Sequence, residues 1–311
     1  MRTVANAFAV VLALSIALDA QAPARVADAA RREGTLSIYT SLAPTESKPL
    51  ADAFAKKYGV KVQLWRALSD EVVQRVVTEA KGRRHAVDVI ETNGPEMEMI
   101  AREQLLAGAW SPDRLNLFVV GYNTAKVKRA EIPETYEGFT DPKWKGRIAL
   151  EATDSEWMAT LIKTMPGDKG MQLMRSLASL QPSLRKGHVL LASLVAAGDV
   201  PVGLAMYNSN IETLKRKGAP IDYVPVQPVV ARPQGIGVAK NAPHPNAAQL
   251  FNEYVLSPEG QKLFESMGRV PASPNAKSAL NNFPFILIDP LTVLDESARW
   301  EKVWNDLFIR R

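Results

Sequence analysis

The sequence predicts an α/β fold with two lobes, and three observations lead to this prediction. Segments with strand-like alternation take turns with segments whose apolar residues recur every three or four positions, the pattern of a parallel-leaning sheet covered by helices. The chain has 311 residues, more than the roughly 250 at which a single hydrophobic core stops growing. Its 46% hydrophobic and 23% charged residues are typical of a folded protein. We therefore expect two α/β lobes, each a mixed sheet flanked by helices.

The first half of the chain reads as alternating strands and helices. Thr35 to Tyr39 alternates apolar and polar residues, and a helix that opens at Pro44 ends at Gly59, a residue suited to a helix C-terminus. Ser69 and the two acids after it are a typical helix start. The predicted strands are 35–39, 60–65, 86–90 and 116–122, and the predicted helices are 26–32, 44–58, 69–81 and a segment around 97–105.

The second half repeats this pattern after a polar, proline-containing linker that ends near Trp144. Gly218 closes one helix, and prolines punctuate the chain before Gly235. The aromatic residues Trp300, Trp304 and Phe308 recur at helical spacing and predict a terminal helix. The predicted strands are 147–150, 200–206, 221–226 and 235–239, and the predicted helices are 155–164, 169–180, 188–197, 212–217, 246–256 and 258–266.

Composition excludes several classes of function. Cysteine is absent, which removes disulfides, thiolate nucleophiles, zinc–thiolate sites and iron–sulfur clusters. The net charge is +5, but acids and bases are interspersed along the chain, so no nucleic-acid partner is expected. A secreted hydrolase is the rival from another class, yet the sequence contains neither a His-Glu-x-x-His pattern nor a Gly-x-Ser-x-Gly pattern.

The amino terminus predicts export. Arg2 precedes the apolar stretch Ala5 to Leu18, and small residues follow it at alternate positions, as in a secretory signal peptide. The stretch is shorter than the roughly 20 residues of a membrane-spanning helix. We therefore expect residues 1–24 to be a signal peptide with an uncertain cleavage site, and the mature protein to be periplasmic.

Six short motifs occur one after another along the chain: Tyr39-Thr40-Ser41, Val87-Asp88-Val89-Ile90, Gly121-Tyr122-Asn123-Thr124, Asp141-Pro142-Lys143-Trp144-Lys145-Gly146-Arg147-Ile148, Gly198-Asp199-Val200 and Leu256-Ser257-Pro258-Glu259-Gly260-Gln261. In this order the chain resembles the extracellular solute-binding proteins of bacterial ABC importers, of the class that includes ferric-iron-binding proteins. The resemblance implies a type II periplasmic binding protein fold, two lobes joined by crossing strands near 117–121 and 229–236. Lobe 1 would then comprise 25–119 and 230–311, and lobe 2 would comprise 120–229.

The resemblance also implies the function. A protein of this family captures a small polar solute between its lobes and delivers it to an ABC permease of the inner membrane, with no enzymatic activity and no cofactor. A monomer is expected. A second possibility is a ligand-binding partner of a periplasmic sensor, which would use the same outer faces of the lobes.

Iron is not expected to be the solute, because the ligand positions of the ferric-binding relatives are changed. The position of their first-loop histidine falls near Ala43, and that of their glutamate falls near Asn93. The position of their tyrosine pair falls at Asn208-Ser209, with Tyr207 one residue away. We therefore predict no metal site, with Tyr207 as the ligand if iron is bound after all.

In lobe 2 the candidate ligand-binding residues follow predicted strands, except His188, which lies at a predicted helix start: Glu151, Thr153, Asp154, Trp157, His188, Tyr207 and Asn208. Carboxylates at 151 and 154 accept hydrogen bonds from amines or hydroxyl groups, so a cationic or polyol solute would fit, with Trp157 as an apolar wall. The alternative is structural: Asp154 caps a helix, Glu156 is a first-turn acid and Trp157 packs in the core. His188 is either a donor to the solute or a capping residue.

In lobe 1 the candidates lie where strands lead into helices, the edge at which α/β sheets bind ligands. They are Tyr39, Thr40, Ser41, Thr92 and Asn93. Each of them alone is often a cap or turn residue. Together they predict neutral hydrogen bonds to the solute.

Overall fold

The computed structural model describes residues 25–272 and 278–309 of the chain, which form two compact units. Unit 1 comprises the chain up to Thr92 with Met99–Ser111 and Gly235–Gly260, and unit 2 comprises Asn93–Glu98, Pro112–Gln234 and Gln261–Arg311. The predicted lobe boundaries stay a prediction, and the predicted signal peptide at 1–24 lies outside the described residues. Within the described ranges, no helix has both the length and the apolar character that crossing a membrane requires.

Helices and strands alternate along the described chain. The strands are β1 (Thr35–Thr40), β2 (Lys61–Arg66), β3 (Val89–Asn93), β4 (Ser111–Asn123), β5 (Ile148–Glu151), β6 (Ser183–Arg185), β7 (Val202–Tyr207), β8 (Ile221–Val224), β9 (Val229–Val238), β10 (Val270–Pro271) and β11 (Phe285–Leu287). The first helix, α1, covers residues 25–33. The helices after it are α2 (Pro44–Tyr58), α3 (Ser69–Lys81), α4 (Gly94–Arg102), α5 (Ser155–Thr164), α6 (Lys169–Ser179), α7 (His188–Ala197), α8 (Asn208–Lys215), α9 (Pro245–Leu256), α10 (Pro258–Ser266) and α11 (Pro290–Trp304).

Unit 1 is built on a parallel sheet in which β1 lies between β2 and β3. Helices α2 and α9 pack against this sheet and against each other. The ring centroids of Phe54 on α2 and Phe251 on α9 are 5.0 Å apart. The Glu33 carboxylate at the end of α1 accepts hydrogen bonds from the backbone N–H groups of Asn246 and Ala247, at 3.2 and 2.7 Å. Glu33 therefore caps α9, since a carboxylate satisfies the unpaired N–H groups of a helix start.

Unit 2 contains a mixed sheet in which β4 pairs antiparallel with both β7 and β8. Strand β5 pairs parallel with β7, and β6 pairs parallel with β5. The core on this sheet contains large aromatic side chains that are almost completely buried, among them Phe118, Tyr136, Trp144, Trp157 and Trp304. The predicted terminal helix is present as α11, and it packs against α5.

Several strands differ from the prediction: β9 begins at Val229 and not at 235, β10 and β11 were not predicted, and three further differences have a local reason. Strand β3 begins at Val89 and not at 86, because the buried Asp88 carboxylate accepts hydrogen bonds from the backbone N–H groups of Ser37 and His244, 2.7 Å each. Strand β4 begins at Ser111, five residues earlier than predicted, because its polar residues Asp113 and Arg114 form a buried ion pair at 2.9 Å. Strand β6 was missed because it has only three residues.

One predicted helix also differs, and the difference bears on the candidate site. Helix α8 begins at Asn208 and not at Glu212, so β7 leads directly into it. Tyr207 therefore occupies the N-cap position of α8.

Candidate functional site

Three neighbouring strands of unit 2 each lead into a helix at the same edge of the sheet. Strand β5 ends at Glu151 shortly before α5, β6 ends at Arg185 shortly before α7, and β7 ends at Tyr207 directly before α8. The three strands are parallel to one another. Because the carboxyl ends of parallel strands meet at one edge, the side chains after them lie close together.

The Glu151 carboxylate joins two of these junctions. One oxygen, Oε1, accepts a hydrogen bond from the backbone N–H of Gly187 at 2.8 Å. The other, Oε2, accepts from the backbone N–H and the hydroxyl group of Thr153, at 2.5 and 2.7 Å. Gly187 has a φ of 104°, a conformation that favours glycine. Glu151 therefore holds the loop after β5 against the start of α7.

Asp154 and His188 form the second contact between these junctions. Asp154 Oδ1 lies 3.1 Å from His188 Nε2, and only 5% of the Asp154 side chain is exposed. The imidazole stacks on the ring of Tyr207, with 3.7 Å between centroids and 21° between planes. Phe118 packs edge-on against Tyr207, with their centroids 5.0 Å apart. Three junctions thus meet in one charged and aromatic cluster.

Arg232 of β9 adds the one guanidinium group of this cluster within the described residues. Its Nε lies 2.8 Å from Glu156 Oε1, and its Nη1 donates a hydrogen bond to the Tyr207 hydroxyl at 3.0 Å. Glu96 of α4 also acts on the guanidinium through its charge. Because only 20% of the Arg232 side chain is exposed, the pair with Glu156 is largely shielded from water.

Burial shifts the protonation of these groups. It raises the pKa of the Asp154 carboxyl, although the neighbouring His188 opposes the shift. Burial also raises the pKa of Glu156 against the effect of Arg232. The pKa of the Tyr207 hydroxyl is raised, chiefly by burial and further by the carboxylates, while Arg232 lowers it. Burial disfavours the Arg232 charge, but Glu156 and the other nearby groups outweigh burial and raise its pKa. Tyr207 is therefore a neutral phenol, and Arg232 is a permanent cation.

Several buried polar atoms at these junctions have no hydrogen-bond partner among the described residues. They are Asp154 Oδ2, His188 Nδ1, Asn208 Nδ2 and Ser209 Oγ. Asn208 uses its other amide atom, Oδ1, to accept a hydrogen bond from the Leu117 N–H at 3.3 Å. A buried polar atom without a partner costs free energy, so such a concentration marks a place where a ligand can supply the partners.

Seven predicted residues of unit 2 are thus found at or beside these junctions. Glu151, Asp154, Tyr207 and Asn208 lie at or just after the ends of predicted strands, His188 follows the unpredicted strand β6, and Thr153 donates to Glu151. Trp157 is fully buried, and its ring packs edge-on against Tyr136, with their centroids 5.5 Å apart. Such a position fits the structural alternative for Trp157. A role in ligand binding stays a prediction for all seven.

The five predicted residues of lobe 1 lie at or next to β1 and β3, and three of them donate hydrogen bonds to glutamate residues. The Tyr39 hydroxyl donates to both oxygens of Glu79, at 3.0 and 2.9 Å. The Thr40 hydroxyl donates to Glu91, and the backbone N–H of Ser41 donates to the Glu91 carbonyl at 3.1 Å. The remaining two lie at the end of β3: Thr92, whose hydroxyl is buried without a partner among the described residues, and Asn93, which lies in unit 2. Their ligand roles also stay predictions.

Arg232 contacts the predicted residue Tyr207 but was not itself predicted as a site residue. It is the one charged residue in the segment Val229–Val238, which is otherwise mostly apolar and buried. A single charge in a buried strand signals a buried ion pair, because an unpaired charge there is too costly. Neither its partner Glu156 nor its contact with Tyr207 could be read from the sequence.

Two curated relatives are named for iron. Iron uptake protein A1 of Synechocystis is 26% identical over 188 residues, which is 52% of this chain and 51% of the relative, so the chain spans about half the length of that protein. An Fe(3+)-binding periplasmic protein of Serratia marcescens is 24% identical over 81% of this chain and 84% of its own.

Solved structures of similar fold have different ligands. Iron-bound HitA from Pseudomonas aeruginosa has a TM-score of 0.72 at 23% identity, covering 87% of this chain and 99% of HitA. AfuA from Actinobacillus pleuropneumoniae, solved with bound fructose-6-phosphate, has a TM-score of 0.72 at 22% identity, covering 88% of this chain and 98% of AfuA. The predicted type II periplasmic binding protein fold is confirmed.

The family assignment follows from a profile match. The family described as bacterial extracellular solute-binding protein matches residues 70–285, more than half of the chain. This confirms the predicted role as the substrate-binding component of an importer, and the family is a class of transport proteins and not of enzymes. The chain belongs to the bacterial extracellular solute-binding protein family.

Proposed function

We propose that this protein captures a small polar solute carrying positive charge and delivers it from the periplasm to an ABC permease of the inner membrane. The proposal includes a cleaved signal peptide at residues 1–24 and a monomeric mature protein. The solute is held at the three strand-to-helix junctions of unit 2, around Asp154, His188 and Tyr207.

The excess of buried carboxylates at the junctions carries the proposal. Glu151 and Asp154 are buried, and Glu156 is 11% exposed at its side chain, while Arg232 and His188 are the cationic or potentially cationic partners. Asp154 Oδ2 has no partner among the described residues. Because a buried carboxylate is stable only when it is paired, a positively charged solute would supply what these groups lack.

The aromatic side chains support the same class of solute. The rings of Tyr207 and Phe118 lie beside the imidazole of His188. An aromatic face attracts cations, with a contribution of about 0.5–2 kcal/mol depending on desolvation. Carboxylates and aromatic faces together favour a cation over an anion.

Calorimetric titration of residues 25–311, unfolded and refolded to remove bound ligand, tests the proposal. The panel contains polyamines, basic and neutral amino acids, sugars, phosphorylated compounds, divalent metal salts and ferric citrate. We expect a cationic compound to bind and Asp154→Asn to abolish its binding. Glu253→Gln is the matched control, since this exposed carboxylate on α9 contacts only the Gln249 side chain at 2.8 Å among its described hydrogen bonds. Binding of an anionic compound that Asp154→Asn leaves unchanged would contradict the proposal.

Ferric iron is the second candidate, and the names of the relatives favour it. Against it, the described junctions offer one phenol, and the Tyr207 hydroxyl accepts a hydrogen bond from Arg232 while its pKa is raised. A ferric ion prefers phenolate and carboxylate oxygens, so it would have to deprotonate this phenol. Ferric titration followed by visible absorbance decides the point: a phenolate-to-iron band that is lost in Tyr207→Phe would restore iron as the solute.

A further inference from the structure

We propose that the cation held at the junctions of unit 2 is a divalent transition-metal ion, bound by Glu151, Asp154 and His188. The inference rests on the proposed function and names the class of solute for the same site. It differs from an iron site built on tyrosines, since its ligands are two carboxylates and an imidazole, while Tyr207 stacks on the imidazole and accepts a hydrogen bond from Arg232.

The spacing of the donor atoms fits one ion. A ligand atom from each of Glu151, Asp154 and His188 lies within 4.8 Å of the others. Asp154 Oδ1 and His188 Nε2 are 3.1 Å apart. Two donors that bind one ion at about 2.0–2.2 Å lie roughly 3 Å apart when the angle between them is near 90–100°. The pair thus already has the separation that a shared ion requires.

Other groups hold two of the three ligands, Glu151 and His188, in orientation. Glu151 accepts hydrogen bonds from the Gly187 N–H and from Thr153, which fix its carboxylate plane. The imidazole is fixed by stacking on Tyr207 at 3.7 Å. Metal sites depend on such orienting contacts, and losing one typically weakens metal binding by about 10- to 100-fold.

An independent observation points to a bound cation. The side chain of Asp154 is 5% exposed, and its Oδ2 has no hydrogen-bond partner among the described residues. This oxygen belongs to a residue whose other oxygen already lies beside His188. An ion that the Asp154 carboxylate binds through both oxygens would give Oδ2 the partner that it lacks.

The donor set indicates which ions fit. Two carboxylates and one imidazole are oxygen and nitrogen donors, which suit Zn²⁺, Mn²⁺, Fe²⁺ and Co²⁺ better than Ca²⁺ or Mg²⁺, because the hard ions prefer oxygen ligands only. Three protein ligands leave at least one coordination position open for water or a group of a larger solute.

The test is titration of chelator-treated protein, residues 25–311, with ZnCl₂, MnCl₂ and CoCl₂. Calorimetry gives affinity and stoichiometry, and the visible spectrum of bound Co²⁺ reports its coordination. We expect one ion per chain and at least a roughly 100-fold loss of affinity in both His188→Gln and Asp154→Asn. His85→Gln is the matched control, since His85 is exposed and lies in unit 1. Circular dichroism checks whether each variant is folded. If Asp154→Asn does not fold, His188→Gln alone decides the outcome.

Each other outcome overturns the inference in a recognisable way. An organic amine that binds through Asp154 while no divalent ion binds would refute the metal site and leave the proposed function standing. Binding of neither class would refute both. Ferric binding that requires Tyr207 would replace the divalent ion, and divalent binding unaffected by His188→Gln would place the ion elsewhere.

Discussion

Trp304 of the terminal helix α11 is predicted to position the loop of the candidate site. Its indole Nε1–H donates a hydrogen bond to the backbone carbonyl of Ala152 at 2.8 Å, 152 residues away in the chain. Ala152 lies between Glu151 and Asp154, and Trp304 is 2% exposed. Replacing Trp304 with phenylalanine keeps an aromatic ring in the core but removes the donor. We therefore expect Trp304→Phe to affect both stability and ligand binding.

Two contributions set the size of the effect of Trp304→Phe on stability. Loss of the hydrogen bond to a buried carbonyl costs about 1 kcal/mol. The smaller ring leaves a cavity of roughly 40 Å³, which costs about 1 kcal/mol at about 24 cal/mol per Å³. The sum is about 2 kcal/mol, which corresponds to a fall of about 4 °C in the unfolding temperature of a chain of this size.

Scanning calorimetry measures this fall, and titration with whichever compound or divalent ion of the two panels binds the unsubstituted protein measures binding. Trp300→Phe is the matched control, because Trp300 lies one turn earlier and its Nε1–H donates to Glu296 of the same helix at 2.6 Å. We expect both variants to lose stability, and Trp304→Phe alone to weaken binding, by about 3- to 10-fold. Equal binding by the two variants would refute the positioning role of Trp304. An unchanged unfolding temperature in Trp304→Phe would refute the hydrogen bond itself.

Three further predictions concern charged side chains. Arg232→Met leaves Glu156 buried without its cation and should lower the unfolding free energy by about 3 kcal/mol in urea denaturation; a loss below about 1 kcal/mol would show that the pair is solvated. Glu33→Gln weakens the cap of α9 and should cost about 1 kcal/mol in the same assay, and an unchanged midpoint would argue against the cap. Asp154→Asn should raise the unfolding temperature of the ligand-free protein while abolishing binding, because it removes a buried charge; a lower unfolding temperature would mean that His188 already compensates this charge.

The positions of Asp154 and Tyr207 at strand ends could be predicted because the ends of β5 and β7 are visible in a single sequence, whereas the three-residue strand before His188 was not. Apolar runs such as Val202–Tyr207 end where polar residues begin, and parallel strands bring such ends together. The same reasoning placed Glu151 at the end of β5, where it lies. It could not show that Gly187 donates a hydrogen bond to the Glu151 carboxylate, because the two residues lie 36 positions apart in the chain.

Contacts between distant segments account for what was missed. Arg232 pairs with Glu156 across 76 positions of the chain. The neighbouring charges Asp113 and Arg114 are typical of a loop in the sequence, but in the structure they form a buried ion pair. Local patterns report the period of an element and its caps, whereas ion pairs inside a core depend on which elements become neighbours. For the same reason, the N-cap position of Tyr207 could not be predicted once α8 was placed four residues too late.

The charge of the helix starts bears on the proposed preference for a cationic solute. A helix N-terminus carries a partial positive charge and ordinarily attracts anions. In this chain Asp154 stands at the N-cap of α5, and the N–H of Gly187, the N-cap of α7, already donates to Glu151. The carboxylates of Glu151 and Asp154 thus lie at helix starts where an anionic solute would bind, although the Asp154 carboxylate accepts no capping hydrogen bond. The proposed selectivity for a cation would therefore depend on a few side chains at strand ends, within a fold that the solved relatives share.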